Sequence, residues 1–274
     1  SLIVCALLGG ISAALFLPST GRWAILAVTV VLTFFLFPFR ESIYPIRPAP
    51  TKLLALIEKH LQEKPEYTRW TPLSRIDVVD ASKYSPGRKA VLQDGDAVSF
   101  LHEWNGDSST LDYLNDNIAA GPYRILKEPR VLLIGIGGGP DILIAHHFGA
   151  KKITAVEINP ASIEVLTDLY KIYNGGIANF LPSYQVVHAE GRSYVRRSYK
   201  KYDLIHVPGA DSFTALQSGA YMVAESYLYT VDAMKDYFSH LTEDGILGFV
   251  RISFDPPREH LKLVTSAATA IREL

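Results

Sequence analysis

The feature that most constrains the fold is an alternation that begins at Arg130. RVLLIGIGGG (130–139) is an apolar strand running straight into glycines, and residues 140–148 follow with helical spacing. KITAVEI (152–158), YQVVHA (184–189), YDLIHV (202–207) and GILGFVRI (245–252) are four further apolar strands. Helix-patterned stretches at 160–173, 192–199, 231–241 and 257–273 separate or follow them. Strands apolar on both faces that alternate with helices predict a parallel sheet covered on both sides, an α/β fold.

Ligands of such sheets sit beyond the carboxyl ends of the strands, where the strand order reverses. The junction after the first strand suits that role. At Gly135, Gly137, Gly138 and Gly139 the missing side chains let backbone N–H groups approach a ligand at a helix N-terminus; the plainer reading is a tight turn. Pro140 stands where a nicotinamide GxGxxG fingerprint needs glycine, and no Lys-Ser/Thr pair follows as in a Walker loop. Glu157 ends the second strand, 22 residues after Gly135. A carboxylate there accepts hydrogen bonds from both hydroxyls of a ribose. Glu190-Gly191 follows the third strand, where an adenine amino group is held. Both acids are expected in one cleft with the glycine loop, an arrangement for an uncharged adenosine rather than a polyphosphate.

The rest of the chain divides by charge. Across all 274 residues the formal net charge is -1, with 27 basic and 28 acidic residues, which argues against a nucleic-acid binder. The single cysteine, Cys5, forms no internal disulfide. Residues 1–39, however, carry one charge, Arg22. Leu2–Leu17 and Trp23–Phe39 are two apolar runs joined by a short turn, each near the lower limit of about 17 residues for a span. They predict a transmembrane helix hairpin over residues 1–40, with a signal peptide or a buried helix pair as the rival readings. The basic residues that follow the second run place the large domain on the cytoplasmic side of the inner membrane. The start at Ser1 inside an apolar run, and the end at Leu274 inside a helical pattern, lead us to expect a piece of a longer chain.

Residues 41–67 read as a Pro-rich linker and an amphipathic helix, with Leu53, Leu54, Ile57 and Leu61 on one face. Residues 68–120 read as a small β-unit with strands near 75–80, 88–93 and 97–101, then a helix at 108–119. Residues 121–274 are the ligand-binding domain.

Six blocks from Thr68 onward carry a resemblance: RWTPLSRIDVV (69–79), LQDGD (92–96), VLLIGIGGGPDIL (131–143), VEINP (156–160), EGRSYVRRSYKKYDLI (190–205) and SGAYMVAESYLYTVDAMKDYFSHLTEDGIL (218–247). In order and spacing they resemble the spermidine synthases, the polyamine aminopropyltransferases, and more closely the membrane-anchored spermidine-synthase-like proteins of bacteria. The resemblance implies a Rossmann-like, class I methyltransferase-type domain behind a small N-terminal β-unit. It implies decarboxylated S-adenosylmethionine as co-substrate, a small amine or polyamine as acceptor, no metal, and a homodimer. Lipid, met through the N-terminal helices, would be a further partner.

The resemblance also distributes roles. The family's GGGDG loop holds the aminopropyl amine with its Asp; here the Asp comes later, as Asp141. Gln93 and Tyr227 fall to the acceptor site. After the fourth strand the family carries two acids, a base and an amine binder. Here the stretch reads Pro208-Gly209-Ala210-Asp211-Ser212, so Pro208 replaces the first and Asp211 alone remains as the catalytic acid. Two other functions stay open: methyl transfer from intact S-adenosylmethionine to an unknown acceptor, and a non-catalytic membrane protein that keeps the fold. Among residues outside the blocks, His146-His147 lack the nearby acids of a metal site. His206 reads as a satisfied core histidine. The basic run from Arg196 to Lys201 reads as a solvated face, and Tyr221, Tyr227 and Tyr229 either wall the acceptor site or pack at the sheet's rim.

Overall fold

The computed structural model describes residues 2–16, 19–39, 47–179, 183–209, 227–251, 255 and 259–274. The chain forms two compact units, Ser1–Ala49 and Pro50–Leu274.

The first unit holds α1 (Leu2–Leu15) and α2 (Ser19–Leu36). The helices approach closely at Gly10, where a Cβ would lie 2.5 Å from the Thr29 methyl. Most of their apolar side chains, Trp23, Phe34 and Phe35 among them, are exposed. The expected transmembrane hairpin is corrected here: among the described residues no helix is long and apolar enough to cross a membrane. The reason is length. The 14 residues of α1 rise about 21 Å, against a hydrocarbon core of about 30 Å. The 18 residues of α2 open with Ser19-Thr20-Gly21-Arg22, which shortens its apolar part to a similar size.

The second unit begins with α3 (Leu53–Leu61), whose buried Leu54 packs on Val79, Ala90 and Leu92 of a small antiparallel sheet. That sheet is β1 (Tyr67–Trp70), β2 (Arg75–Asp80), β3 (Arg88–Gln93) and β4 (Ala97–His102), in the order β1-β2-β3-β4. Asp94 and Gly95 join β3 to β4 with φ of 51° and 71°, the left-handed geometry that an Asp-Gly hairpin supplies. Two 3₁₀ segments, Ser108–Asp116 and Ile118–Arg124, stand where one helix is expected.

The larger sheet follows: β5 (Arg130–Ile134), α4 (Pro140–His147), β6 (Lys152–Glu157), α5 (Pro160–Glu164), β7 (Tyr184–His188), α6 (Gly191–Arg197), β8 (Tyr202–Pro208), α7 (Val231–Phe238), β9 (Leu241–Val250) and α8 (Glu259–Glu273). The order is β7-β6-β5-β8-β9 and every pairing is parallel. The expected helix over 160–173 is α-helical only to Glu164 and widens to a π-turn over Val165–Leu169. One face of the sheet buries Leu133, Ile142, Ile153 and Leu166; the other buries Leu132, Val195, Ile205 and Tyr237, with Leu263 and Ala267 of α8 packed against it. The chain order reverses between β5 and β8, so their carboxyl ends diverge and leave a crevice.

Candidate functional site

A cavity of about 520 Å³ fills that crevice. Its size lies within the range of roughly 300–1,000 Å³ usual for small-molecule sites. The loop after β5 contributes Gly135, Ile136 and Gly137, and the first turn of α4 contributes Pro140 and Asp141. Glu157 and Asn159 enter from the end of β6, and Pro208 and Gly209 from the end of β8. The small sheet supplies Arg88, Gln93, Ser99 and His102, and the first 3₁₀ segment Tyr113 and Asp116.

The glycines divide by function. Gly135 and Gly137 line the cavity, with φ of 83° and 49° that disfavour any side chain. Gly138 instead faces β4. A Cβ there would lie 2.5 Å from the carbonyl carbon of Phe100, and its N–H donates to Ser99 Oγ at 3.0 Å. At Gly139 a Cβ would meet Leu166 Cδ1 at 2.7 Å. Packing against the protein, not approach to a ligand, accounts for these two.

Glu157 is 8% exposed, and its carboxylate is fixed from both sides. Ile136 N–H donates to Oε2 at 3.0 Å and Asn159 N–H to Oε1 at 2.8 Å. A carboxylate offers about four acceptor sites, so each oxygen keeps capacity for a ligand hydroxyl. Asn159 is held in turn, donating through Nδ2 to Ser74 Oγ at 2.8 Å and capping α5 through Oδ1. Glu190 has a different position. It is not among the residues lining the cavity, and its two oxygens accept from Arg192 N–H at 2.9 Å and Ser193 N–H at 2.7 Å as the N-cap of α6. Burial pushes its carboxyl up, but the bonds from Ser193 and Arg192 outweigh burial and leave it below the usual range. A Cβ at Gly191 would lie 2.3 Å from Ile134 Cγ2, so this glycine admits the β5 side chain.

Asp141 lies at the cavity floor, with its Oδ1 3.7 Å from Nε2 of His206 on β8. His206 is 2% exposed, and among the described residues neither ring nitrogen has a hydrogen-bond partner. The satisfied core histidine expected from the sequence is corrected in one respect: the imidazole is buried, but the Asp141 carboxylate beside it, at 3.7 Å, is beyond hydrogen-bond reach. The hydroxyl of Tyr123, also buried, is unpartnered among the described residues as well. Burial raises the Asp141 carboxyl to about 7 and lowers the His206 imidazole to about 4.

The outer wall was missed from the sequence. His102 Nδ1 is 2.5 Å from the Tyr113 hydroxyl, with the two rings stacked at 5.6 Å. The Arg88 guanidinium carbon stands 5.5 Å from the Tyr113 ring centre and 5.9 Å from that of Phe100. Burial first, and the Arg88 charge second, lower the His102 imidazole to about 4, so it is neutral at pH 7. The signal was available in FLHEW (100–104), a histidine ending a strand beside aromatics.

The remaining sequence candidates are placed as follows. Gln93 lines the cavity; Tyr227 is exposed and does not. Tyr229 is buried, with its ring centre 5.9 Å from that of Phe249. His146 Nδ1 is 2.8 Å from the Tyr184 hydroxyl and His147 Nε2 3.1 Å from Asn115 Oδ1, which are structural contacts. Asp211 and Tyr221 lie outside the described residues.

No family model matches the chain. Among characterised proteins it is similar to the polyamine aminopropyltransferases of Thermotoga petrophila, Thermotoga neapolitana and Thermotoga maritima. Each is 29% identical over 146 residues, which is 51% of this chain and 48% of the relative. The chain thus spans about half the length of the curated relatives it matches. Among solved structures, a spermidine synthase in complex with the transition-state analogue AdoDATO aligns with a TM-score of 0.49 and 19% identity, over 77% of this chain and 63% of that one. The spermidine synthase of Thermotoga maritima aligns at 0.48 and 20%, over 76% and 62%. Over those 146 residues the chain is similar in sequence to polyamine aminopropyltransferases.

Proposed function

We propose that the cavity binds the adenosyl part of a sulfonium co-substrate, decarboxylated S-adenosylmethionine, and that the protein transfers its aminopropyl group to a small amine. The observation that carries this reading is Glu157: a buried carboxylate at the end of β6, oriented by two backbone amides, beside Gly135 and Gly137. That arrangement suits two ribose hydroxyls. The similarity to polyamine aminopropyltransferases supports the choice of transferred group. In this reading Gln93 contacts the acceptor, and Asp211, two residues past the described Gly209, attracts its cationic end.

A second reading is methyl transfer from intact S-adenosylmethionine. One observation favours it: Arg88 puts a permanent cation in the cavity wall, where a carboxylate is welcome and an ammonium is not. Calorimetric titration with the two co-substrates and with methylthioadenosine separates the readings. Aminopropyl transfer predicts that the decarboxylated form binds at least tenfold tighter than the intact form. The reverse order establishes the methyl donor instead, and no binding of any of the three refutes both.

A further inference from the structure

Transfer to an amine leaves a proton on nitrogen that must go somewhere, and at the end of β8 the cavity presents Pro208 and Gly209, neither of which accepts one. The opposite side of the floor does carry an acceptor. Asp141, in the first turn of α4, lines the cavity and meets His206 from β8 behind it. His206 is a buried imidazole with two nitrogens unpartnered among the described residues, in a space kept open by Gly248, where a Cβ would lie 2.8 Å from Nδ1. Tyr123, from the 3₁₀ segment packed against α4, adds an unpartnered hydroxyl at the same depth. Among the described residues two other carboxylates line the cavity, Glu157, already bonded to two amides, and the exposed Asp116 of the first 3₁₀ segment; Arg88, His102 and Tyr113 are the other titratable or charged groups of the wall.

We propose that Asp141 accepts the proton that the acceptor amine gives up, with His206 as the positioning residue that sets its proton affinity. This rests on the transfer reading above. The nitrogen lone pair forms the new C–N bond. The C–S bond breaks with its electron pair passing to sulfur, which leaves as a neutral thioether. The ammonium proton passes to the Asp141 carboxylate, so sulfonium, amine and carboxylate become thioether, secondary amine and carboxylic acid. Burial tunes the group for this role, because a carboxyl near 7 is half ionised at neutral pH, close to the optimum for a base working there. His206, kept neutral by its own burial, stands 3.7 Å from the carboxylate and adds no positive charge that would lower its proton affinity.

The test follows the Asp141 carboxyl carbon by NMR from pH 4 to 9, together with single-turnover rates for decarboxylated S-adenosylmethionine and putrescine. In the wild type the carbon and the rate should titrate together with a midpoint near 7. Asp141→Asn should lose at least a hundredfold in rate while binding methylthioadenosine within threefold. His206→Asn should keep that affinity but move both midpoints by half a unit or more, a shift that a purely structural role does not produce. An Asp141 carbon that titrates in the ordinary carboxylate range overturns the proposal, and so does an Asp141→Asn enzyme with the wild-type rate and pH profile. A large loss confined to Asp211→Asn assigns the proton to that residue instead. A wild type that binds the adenosyl ligand but transfers to no amine removes the transfer reading and this one together, whereas altered Asp141 behaviour alone leaves the former standing.

Discussion

The carboxyl ends of β6 and β7 are adjacent in one sheet; Glu157 ends the first, Glu190 follows the second by two residues, and the two acids do different things. Glu157 is oriented by amides from two different segments and faces a cavity. Glu190 is oriented by the first turn of its own following helix and stays outside that cavity. The glycines repeat the contrast, for Gly135 lines the cavity while Gly191 admits Ile134. The two acids carry the same number of amide bonds and differ in place: Glu157 lines the crevice, whereas Glu190 caps the helix that follows and lines no part of that cavity.

Three substitutions probe that contrast. Removing the β6 carboxylate should have the largest effect. Hydrogen bonds to a charged group contribute about 1.5–3 kcal/mol each, so Glu157→Ala should weaken methylthioadenosine up to about a hundredfold, or roughly 2.7 kcal/mol. Calorimetry reads this directly, and an unchanged affinity would place the ribose elsewhere. Gly191→Ala should come next, with no effect on affinity beyond threefold but a loss of about 2 kcal/mol in stability, because a methyl cannot enter the space of Ile134 without displacing α6. Urea unfolding measures it; a stable Gly191→Ala protein with poor ligand affinity would turn the comparison round.

The smallest effect belongs to Glu190→Gln. Loss of the charged cap should lower stability by about 1 kcal/mol at pH 7 and leave methylthioadenosine affinity within threefold. The pH dependence has a definite sign. The Glu190 carboxyl is held below its unfolded value, so its contribution is complete above about pH 4.5 and is lost as pH falls through the lower folded value. Wild type and variant should therefore converge in stability on acidification, and a gap that persists at pH 3 would assign the effect to packing.

Much of this architecture is written in periodicity. Five apolar strands and the glycine junction fall near where the alternation puts them, although β9 begins at Leu241 rather than 245 and the helix expected over 160–173 is α-helical only to Glu164. In the small sheet β2, β3 and β4 were equally plain, but β1 was not: Tyr67–Trp70 is short, and three of its four residues are exposed. The site was legible only where one residue carries its own signal, as with Gly135, Gly137, Asp141 and Glu157. What depends on distant partners was not. Nothing local tells that Gly138 faces Phe100 or that His206 lies against Gly248. Nor does apolar composition report helix extent: the two N-terminal runs are strongly apolar, yet among the described residues no helix is long and apolar enough to cross a membrane.

The contact of Gly138 with β4 has a consequence for how the molecule meets its own copies. β4 is the last strand of its sheet, and a bare edge strand is a template on which another chain can add. Here the glycine loop lies against that edge, with the Gly138 amide on Ser99 and no room for even one methyl beside Phe100. One short loop therefore serves two faces, with Gly135 and Gly137 toward the cavity and Gly138 against the outer edge of β4.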